Sequence, residues 1–245
     1  MIKIIFTSIF FLISTDLYAD FKKIKKKSKI TYPEIIFKIP NNLTNCQTKM
    51  YVSPETNLVK PVLKVEAPSG YGLDNRFNHA QNKFENFSFP CGGGNIEACK
   101  NVVRVILDWA NANAAQRTGP SDNEGRHWND TLTVNLYIAS PMMAAYSFAK
   151  QVINVNESDD KIIKDWFKKI VKKNQHLMYG LKNYDYGGAS GTPRRAHNHA
   201  LSSAIAHMEL GVLLNDNKLF RKAFKNFEAA IKYQRKDGSM PIETR

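Results

Sequence analysis

The chain has 245 residues, of which 43% are hydrophobic and 23% charged. That is a globular composition, and it excludes a disordered or fibrous chain. Lysine and arginine number 35 against 22 aspartates and glutamates, a net charge of +13. The excess favours an anionic partner: nucleic acid, an acidic membrane surface or an acidic polymer. The plain alternative is a Lys/Ile/Asn-rich composition that raises the charge everywhere.

The first residues, "MIKIIFTSIFFLISTDLYAD", carry an early lysine, an apolar run from Ile4 to Ile13 and a small residue at Ala19. That is the layout of a secretory signal spanning 1–19, cleaved after Ala19. The apolar run is short for a membrane span, and an uncleaved anchor is the alternative reading. Export places the mature chain in the periplasm or outside the cell. It argues against nucleic acid, leaves no stable membrane association after cleavage, and makes an acidic polymer the better partner. Residues 20–65 are basic, then rich in Pro, Asn and Thr, and read as an extended lead-in whose basic part is 20–45. Cys46, Cys91 and Cys99 permit one disulfide and one free thiol. A Cys46–Cys99 pair is the preferred arithmetic. No His/Cys spacing resembles a zinc site, and neither a metal nor any other cofactor is called for.

"EAPSGYGLDNRFN" (66–78) reads as a loop carrying Tyr71. "FPCGGGN" (89–95) lacks the Lys-Ser/Thr that completes a phosphate loop, so it reads as a flexible connector. From about residue 95 the apolar spacing becomes helical. "NIEACKNVVRVILDWANANAAQ" places Cys99, Val102, Val103, Ile106 and Ala110 on one face. "RHWNDTLTVNLYIASPMMAAYSFAKQVI" continues as helix, with Pro141 marking a kink or restart. "SDDKIIKDWFKKIVKKNQHLM" opens on a cap-like Ser158 and stripes Ile162/Ile163, Trp166/Phe167 and Ile170/Val171. Two more helices, joined at Asn215–Asn217, complete an all-α row of antiparallel helices. "KDGSMPIETR" then ends the chain on a loop, so the sequence is expected to be cut from a longer protein.

"RRAHNHALSS" (194–203) holds two histidines flanking an asparagine, after the Gly-rich "YDYGGASGTP". On a helical wheel Leu201, Ile205, Met208 and Val212 form the expected core stripe. His199 lies opposite it with Ser203, Ala206 and Leu210, where small neighbours leave room. A lone histidine there would be an ordinary half-buried one. Arg194, Arg195, His197 and Asn198 beside it, delivered by a Gly-rich loop, point to a site on a scaffold. A contiguous "HNH" is not the nuclease motif, which draws its residues from separated elements.

The stretch "RRAHNHALSSAIAHMELGVLLNDNKLFRKAFKNFEAAIKYQRKDGSMPIETR" resembles the alginate lyase family of polysaccharide lyases. In that family "NNH" opens a helix, and a further helix and a "Q…DG.lP.E..R" segment come after it. "EACKNVVRVILDWANANA" resembles the family's Cys-bearing helix. "RHW" (126–128) is similar to its basic-x-Trp helix start, and "SGYG" (69–72) to its Tyr-bearing loop. The resemblance covers roughly residues 40–245 and is most specific in 194–245. It implies an incomplete (α/α) toroid over 46–245, truncated at its C-terminus, acting as a monomer on an anionic polysaccharide.

The implied reaction is β-elimination across a 4-linked uronic-acid polymer. The proton at C5 of a uronate is weakly acidic, so the neighbouring carboxylate must be neutralised before it leaves. The resemblance gives that role to Asn198 with Arg245, and proton transfer to His199. Tyr71, Arg126, Trp128, Arg195 and His197 are the implied substrate contacts. The family's acid is a tyrosine some seven residues beyond the position of Arg245; Tyr184 and Tyr186 are the internal alternatives. His197 stands where the family has its first Asn, and Ser202 where it has an aromatic. Both departures bear on the sugar, and mannuronate-rich alginate and polyglucuronate are both compatible. His127, His176 and His207 read as structural or surface residues. A non-catalytic acidic-polysaccharide binder is the competing function. A glycoside hydrolase is the other, needing two carboxylates for which only Asp185 and Glu243 are available.

Overall fold

Helical structure begins some twenty residues before the periodicity suggests. The computed structural model describes residues 59–66, 74–117, 133–172 and 198–231, all within the unit Glu34–Arg245. Helix α1 covers Asn75–Gly92 and buries Phe77, Ala80, Phe84, Phe87, Pro90 and Cys91 on one side. This corrects two expectations: the loop ends at Asp74, and most of "FPCGGGN" is helix. Four asparagines, a proline and three glycines masked an aromatic stripe at helical spacing. Pro90 is tolerated because the bond it cannot donate falls in the last turn.

Helix α2, Ile96–Asn111, comes almost without a connection. Gly94 takes φ 83°, Asn95 N–H bonds Pro90 O, and Gly94 N–H bonds Cys91 O. That is a Schellman end, in which glycine occupies the left-handed position without penalty. Asn95 then caps α2 by accepting the Ala98 N–H at 3.0 Å. The tight return sets Cys91 beside Cys99, and these two form the disulfide, with Cα atoms 4.6 Å apart. The expected Cys46–Cys99 pair is therefore wrong; a helix turn decides the pairing, which Cys spacing does not reveal. The buried face of α2 is Ala98, Cys99, Val102, Val105, Ile106 and Trp109, with Val103 and Ala110 at its margin.

After α2 the chain turns through Asn113 (φ 48°) and makes a two-residue parallel ladder. Strand β1 is Lys64–Val65 and β2 is Gln116–Arg117. Residues 133–134 lead into a π-helical turn, Asn135–Ala139, and helix α3, Ser140–Val152. Pro141 has no N–H and would crowd the carbonyl four residues back, so the extra residue of the π turn absorbs the break. The expected kink is thus a wider turn just upstream of the proline. Helix α4 covers Glu157–Lys172. Its cap is Asn156, whose Oδ1 accepts the Asp159 N–H at 2.8 Å and the Ser158 hydroxyl at 2.7 Å. Ser158 is therefore not the cap. Ile162 is 39% exposed and leaves the expected stripe, which otherwise buries Ile163, Trp166, Phe167, Ile170 and Val171.

Helices α5, Asn198–Leu213, and α6, Asn217–Ile231, repeat the α1–α2 device. Asn215 takes φ 54°, Asp216 N–H bonds Gly211 O, and Asp216 Oδ1 accepts the Leu219 N–H. Helices α2 and α3 form the centre. Trp109 packs edge-on against Phe77 and Trp166, and its indole donates to Val59 O at 3.1 Å. The Trp166 indole donates to Ala114 O at 3.0 Å. Apart from the short ladder, every regular element among the described residues is helical, so the all-α expectation holds.

Candidate active site

Asn198 and His199, the two residues singled out for chemistry, are the first two residues of α5. The end of a helix that carries them is a donor-rich position, because its first N–H groups lack intrahelical partners. The first turn holds no acidic residue, whereas that of α4 holds Glu157, Asp159 and Asp160. The positive end of the α5 dipole is therefore not offset by its own side chains.

Beyond its first turn α5 is enclosed by neighbours on almost every side. Ser203, Ala206, His207 and Leu210 are fully buried, whereas Leu201, Ile205 and Met208 are only partly so. Of the expected core stripe only Val212 is buried, and the deepest side of α5 is the opposite one. The small-residue side is the one pressed into the main core, because small residues let neighbouring helices approach. Ser203 and Ala206 are therefore packed against neighbours. On another side α5 meets α6 at Gly211, where an added Cβ would lie 2.8 Å from the Phe220 backbone nitrogen. Helices α3 and α4 and the π turn also pack on α5.

Two titratable groups lie inside this packing. His207 places Nδ1 2.7 Å from Ser203 O, so Nδ1 carries the proton and Nε2 is the unprotonated nitrogen. Burial drives its pKa down to about 4, only partly opposed by the Ser203 carbonyl. It is the structural histidine expected, and neutral at pH 7. Burial pushes Glu209 up to about 8 against a hydrogen bond from Ser140, so it too is neutral at pH 7. Glu209 thus pins α5 to the junction of the π turn and α3 as a carboxylic acid. Tyr146 is raised far above the usual phenol range, first by burial and then by its 2.8 Å bond to Asp160. It is no proton donor to a substrate. Asp160 is held below the carboxylate range: burial opposes this, and Lys150, Lys164 and Tyr146 outweigh it.

A second cluster gathers the roots of two sequence segments. Parallel pairing of Lys64 with Gln116 and Val65 with Arg117 makes the chain leave β1 and β2 side by side and in the same direction. The first segment, 67–73, contains Tyr71; the second, 118–132, contains Arg126 and Trp128. Their return points also meet. Asp74, 4% exposed, donates its N–H to Thr133 Oγ1 at 3.3 Å. Its carboxylate accepts the Glu66 N–H at 2.9 Å and the Arg76 N–H at 3.1 Å, and pairs with the Arg76 guanidinium at 2.7 Å. Arg76 in turn reaches Lys64 O and Glu66. Burial opposes the charge on Asp74, but Arg76 and the two backbone donors outweigh it and hold its pKa low. The Asp74 carboxylate thus caps α1 and holds Glu66, while the Asp74 backbone N–H holds Thr133.

Tyr71, Arg126, Trp128, Arg195, His197 and Arg245 lie outside the described residues, as do the tyrosine alternatives Tyr184 and Tyr186 and the carboxylates Asp185 and Glu243. Asp74, Thr133, Glu209 and Ser140 are the supports that sequence reasoning missed. Only Asp74 carried a signal, as an N-cap residue before an aromatic stripe. Among the described residues no group of three His, Cys, Asp or Glu is placed to hold a metal ion. No helix among them is long and apolar enough to cross a membrane.

The model of the family described as alginate lyase matches residues 45–245. The chain belongs to the alginate lyase family. Among solved structures, this family member is similar to alginate lyase A1-III from Sphingomonas species A1, with a TM-score of 0.57 at 14% identity. The likeness covers 82% of this chain and 57% of that one, so the chain spans a little over half of that structure's length. At that identity it is a likeness of fold. No curated protein matches the sequence. Family membership agrees with the motif reading of 194–245, and the fold likeness with an all-helical scaffold.

Proposed function

We propose that the chain is a polysaccharide lyase that cleaves a 4-linked uronic-acid polymer, polymannuronate-type alginate or polyglucuronate, by β-elimination. The observation that carries this reading is the position of Asn198 and His199. In a chain of the alginate lyase family they open the helix most enclosed by its neighbours, at an end free of its own carboxylates.

In the proposed reaction the Asn198 amide and Arg245 hydrogen-bond the C6 carboxylate and spread the charge that grows as the C5 proton leaves. The unsatisfied N–H groups and dipole of the first α5 turn, equivalent to roughly half a positive charge, act in the same sense. His199 takes the C5 proton or relieves carboxylate charge, according to sugar stereochemistry. The C4–O bond breaks, a C4–C5 double bond forms, and a tyrosine protonates the leaving oxygen. The family pattern puts that tyrosine beyond Arg245, with Tyr184 and Tyr186 as the internal alternatives. Tyr71, Arg126, Trp128, Arg195 and His197 line the substrate path in this reading. A cleaved signal at 1–19, a basic lead-in at 20–45, a domain at 46–245, a periplasmic or secreted location and a monomeric state complete the proposal.

The test is ultraviolet absorbance of the unsaturated product on polymannuronate, polyguluronate and polyglucuronate. It compares wild type with His199→Ala, in the 245-residue chain and in a chain extended past Arg245. A signal from wild type that His199→Ala abolishes supports the lyase. Polymer binding without any absorbance rise, in both chain lengths, sinks it in favour of a binding protein.

A further inference from the structure

The net charge of +13 is not spread evenly over the helices. On α4 two of the five lysines are answered in place, Lys161 by Asp165 at 2.9 Å and Lys164 by Asp160 at 2.7 Å, while Lys168 and Lys172 make no ion pair with any described residue. That is an ordinary solvated face laced with ion pairs. The outer side of α6 differs. Lys218, Arg221, Lys222 and Lys225 stand at i, i+3, i+4 and i+7 and form one stripe of like charge. The opposite side holds Leu219, Phe220 and Ala223, buried against α5. Lys218, Arg221 and Lys225 make no ion pair with any described residue. Asp216 is committed to capping Leu219, and Glu228 is the one acid of α6 near the line of the stripe.

Like charges one turn apart repel and lower helix stability. The buried apolar face and the close contact at Gly211 hold α6 in place in spite of it. The stripe also has a direction. Helices α5 and α6 are joined by three residues, 214–216, and pack on each other, so they run antiparallel. The stripe thus begins beside the end of α5 and rises about 5.4 Å per turn towards the end that opens with Asn198 and His199. That rise is of the order of one sugar unit.

We infer that the outer face of α6 is a binding track for an acidic polysaccharide chain, distinct from the reacting site and leading towards it. The inference rests on the proposed uronate substrate and adds a surface that holds the polymer by its carboxylates. Carboxylates of successive sugars meet the stripe in water, so the attraction is long-ranged and screened by salt. Its use is to hold a long chain near the site between encounters.

The experiment uses the full chain and two charge-matched triple variants. Lys218→Glu, Arg221→Glu and Lys225→Glu reverse the α6 stripe. Lys83→Glu, Lys168→Glu and Lys172→Glu, at exposed sites on α1 and α4, make the same change of net charge elsewhere. Circular dichroism establishes that each variant is folded. Retention on immobilised polymannuronate is read alongside turnover of polymer and of short oligosaccharides. The α6 triple is expected to weaken polymer retention about tenfold at low salt and to flatten its salt dependence. Turnover of short oligosaccharides stays as in wild type, and the control triple keeps most of its retention. Equal losses in both triples, or none in either, overturn the track. Loss of binding to anionic vesicles with polymer retention intact also overturns it, by assigning the face to a membrane. Retention is read without turnover, so a wild type that binds but does not cut separates failure of the lyase reading from failure of this one.

Discussion

Asp74 concentrates more consequence in one side chain than any other described residue. It is nearly buried, its carboxylate holds the Glu66 N–H and the Arg76 guanidinium, and its own backbone N–H holds Thr133. Asp74→Asn keeps the size and a cap but loses the charge that holds Arg76. It is expected to cost about 2 kcal/mol in chemical denaturation. Polymer KM should rise while kcat is largely kept, because Asn198 and His199 stand on another element. A loss of stability with KM unchanged would show that the knot supports the fold alone. His207 and Glu209 give the molecule two opposed pH limbs. The folded pKa of His207 is depressed from 6.5 to about 4. The unfolded chain therefore binds the extra proton first, and stability falls as pH drops through that window. The folded pKa of Glu209 is raised from 4.5 to about 8. The unfolded chain therefore ionises first, and stability falls as pH rises through its window. Glu209→Gln should remove the fall in stability above pH 6.5 in a Tm-against-pH curve and uncover the His207 slope that Glu209 cancels between pH 4.5 and 6.5. An unchanged alkaline limb would mean that Glu209 is ionised in the folded protein.

At the scale of elements, short connections do most of the positioning. In both α1–α2 and α5–α6 a residue in the left-handed region ends one helix, and its successor caps the next. Cys91 and Cys99 are eight residues apart across the first of these. Replacing both by alanine removes the loop-closure constraint and is expected to cost about 2.5 kcal/mol. A free Cys46 would leave that result untouched. Gly211→Ala presses a methyl group into the Phe220 backbone, which cannot rotate aside. It should cost about 1–3 kcal/mol and shift α6, read as a lowered Tm and a changed near-ultraviolet signal. Amphipathic elements were legible in the residues: α2, α4 and α6 each bury the apolar side that their spacing marks out. Helix α1 was not, because its asparagines and Pro90 carry loop signals that packing of Phe77, Phe84 and Phe87 overrides. The inward side of α5 was not legible either. A helix apolar on nearly every side has no stripe to read, and the neighbours decide which side is deepest.

At the scale of the molecule, the positive excess becomes a prediction about salt. Interactions between exposed charges fade beyond about 10 Å at 0.1 M ionic strength. Turnover of long polymer should therefore fall more steeply with salt than turnover of short oligosaccharides. Equal slopes would confine the electrostatics to the reacting site. Residues by themselves determined that the chain is globular, basic and helical. They also marked 194–245 as a stretch of alginate lyase type, because periodicity, charge and local motif are properties of neighbours in sequence. Only the tertiary structure decided that Cys91 pairs with Cys99, that Asp74 joins Glu66 to Thr133, and that Glu209 is neutral beneath Ser140. Each of these depends on distance and burial between residues far apart along the chain or turned back by a tight connection, and no local pattern encodes them.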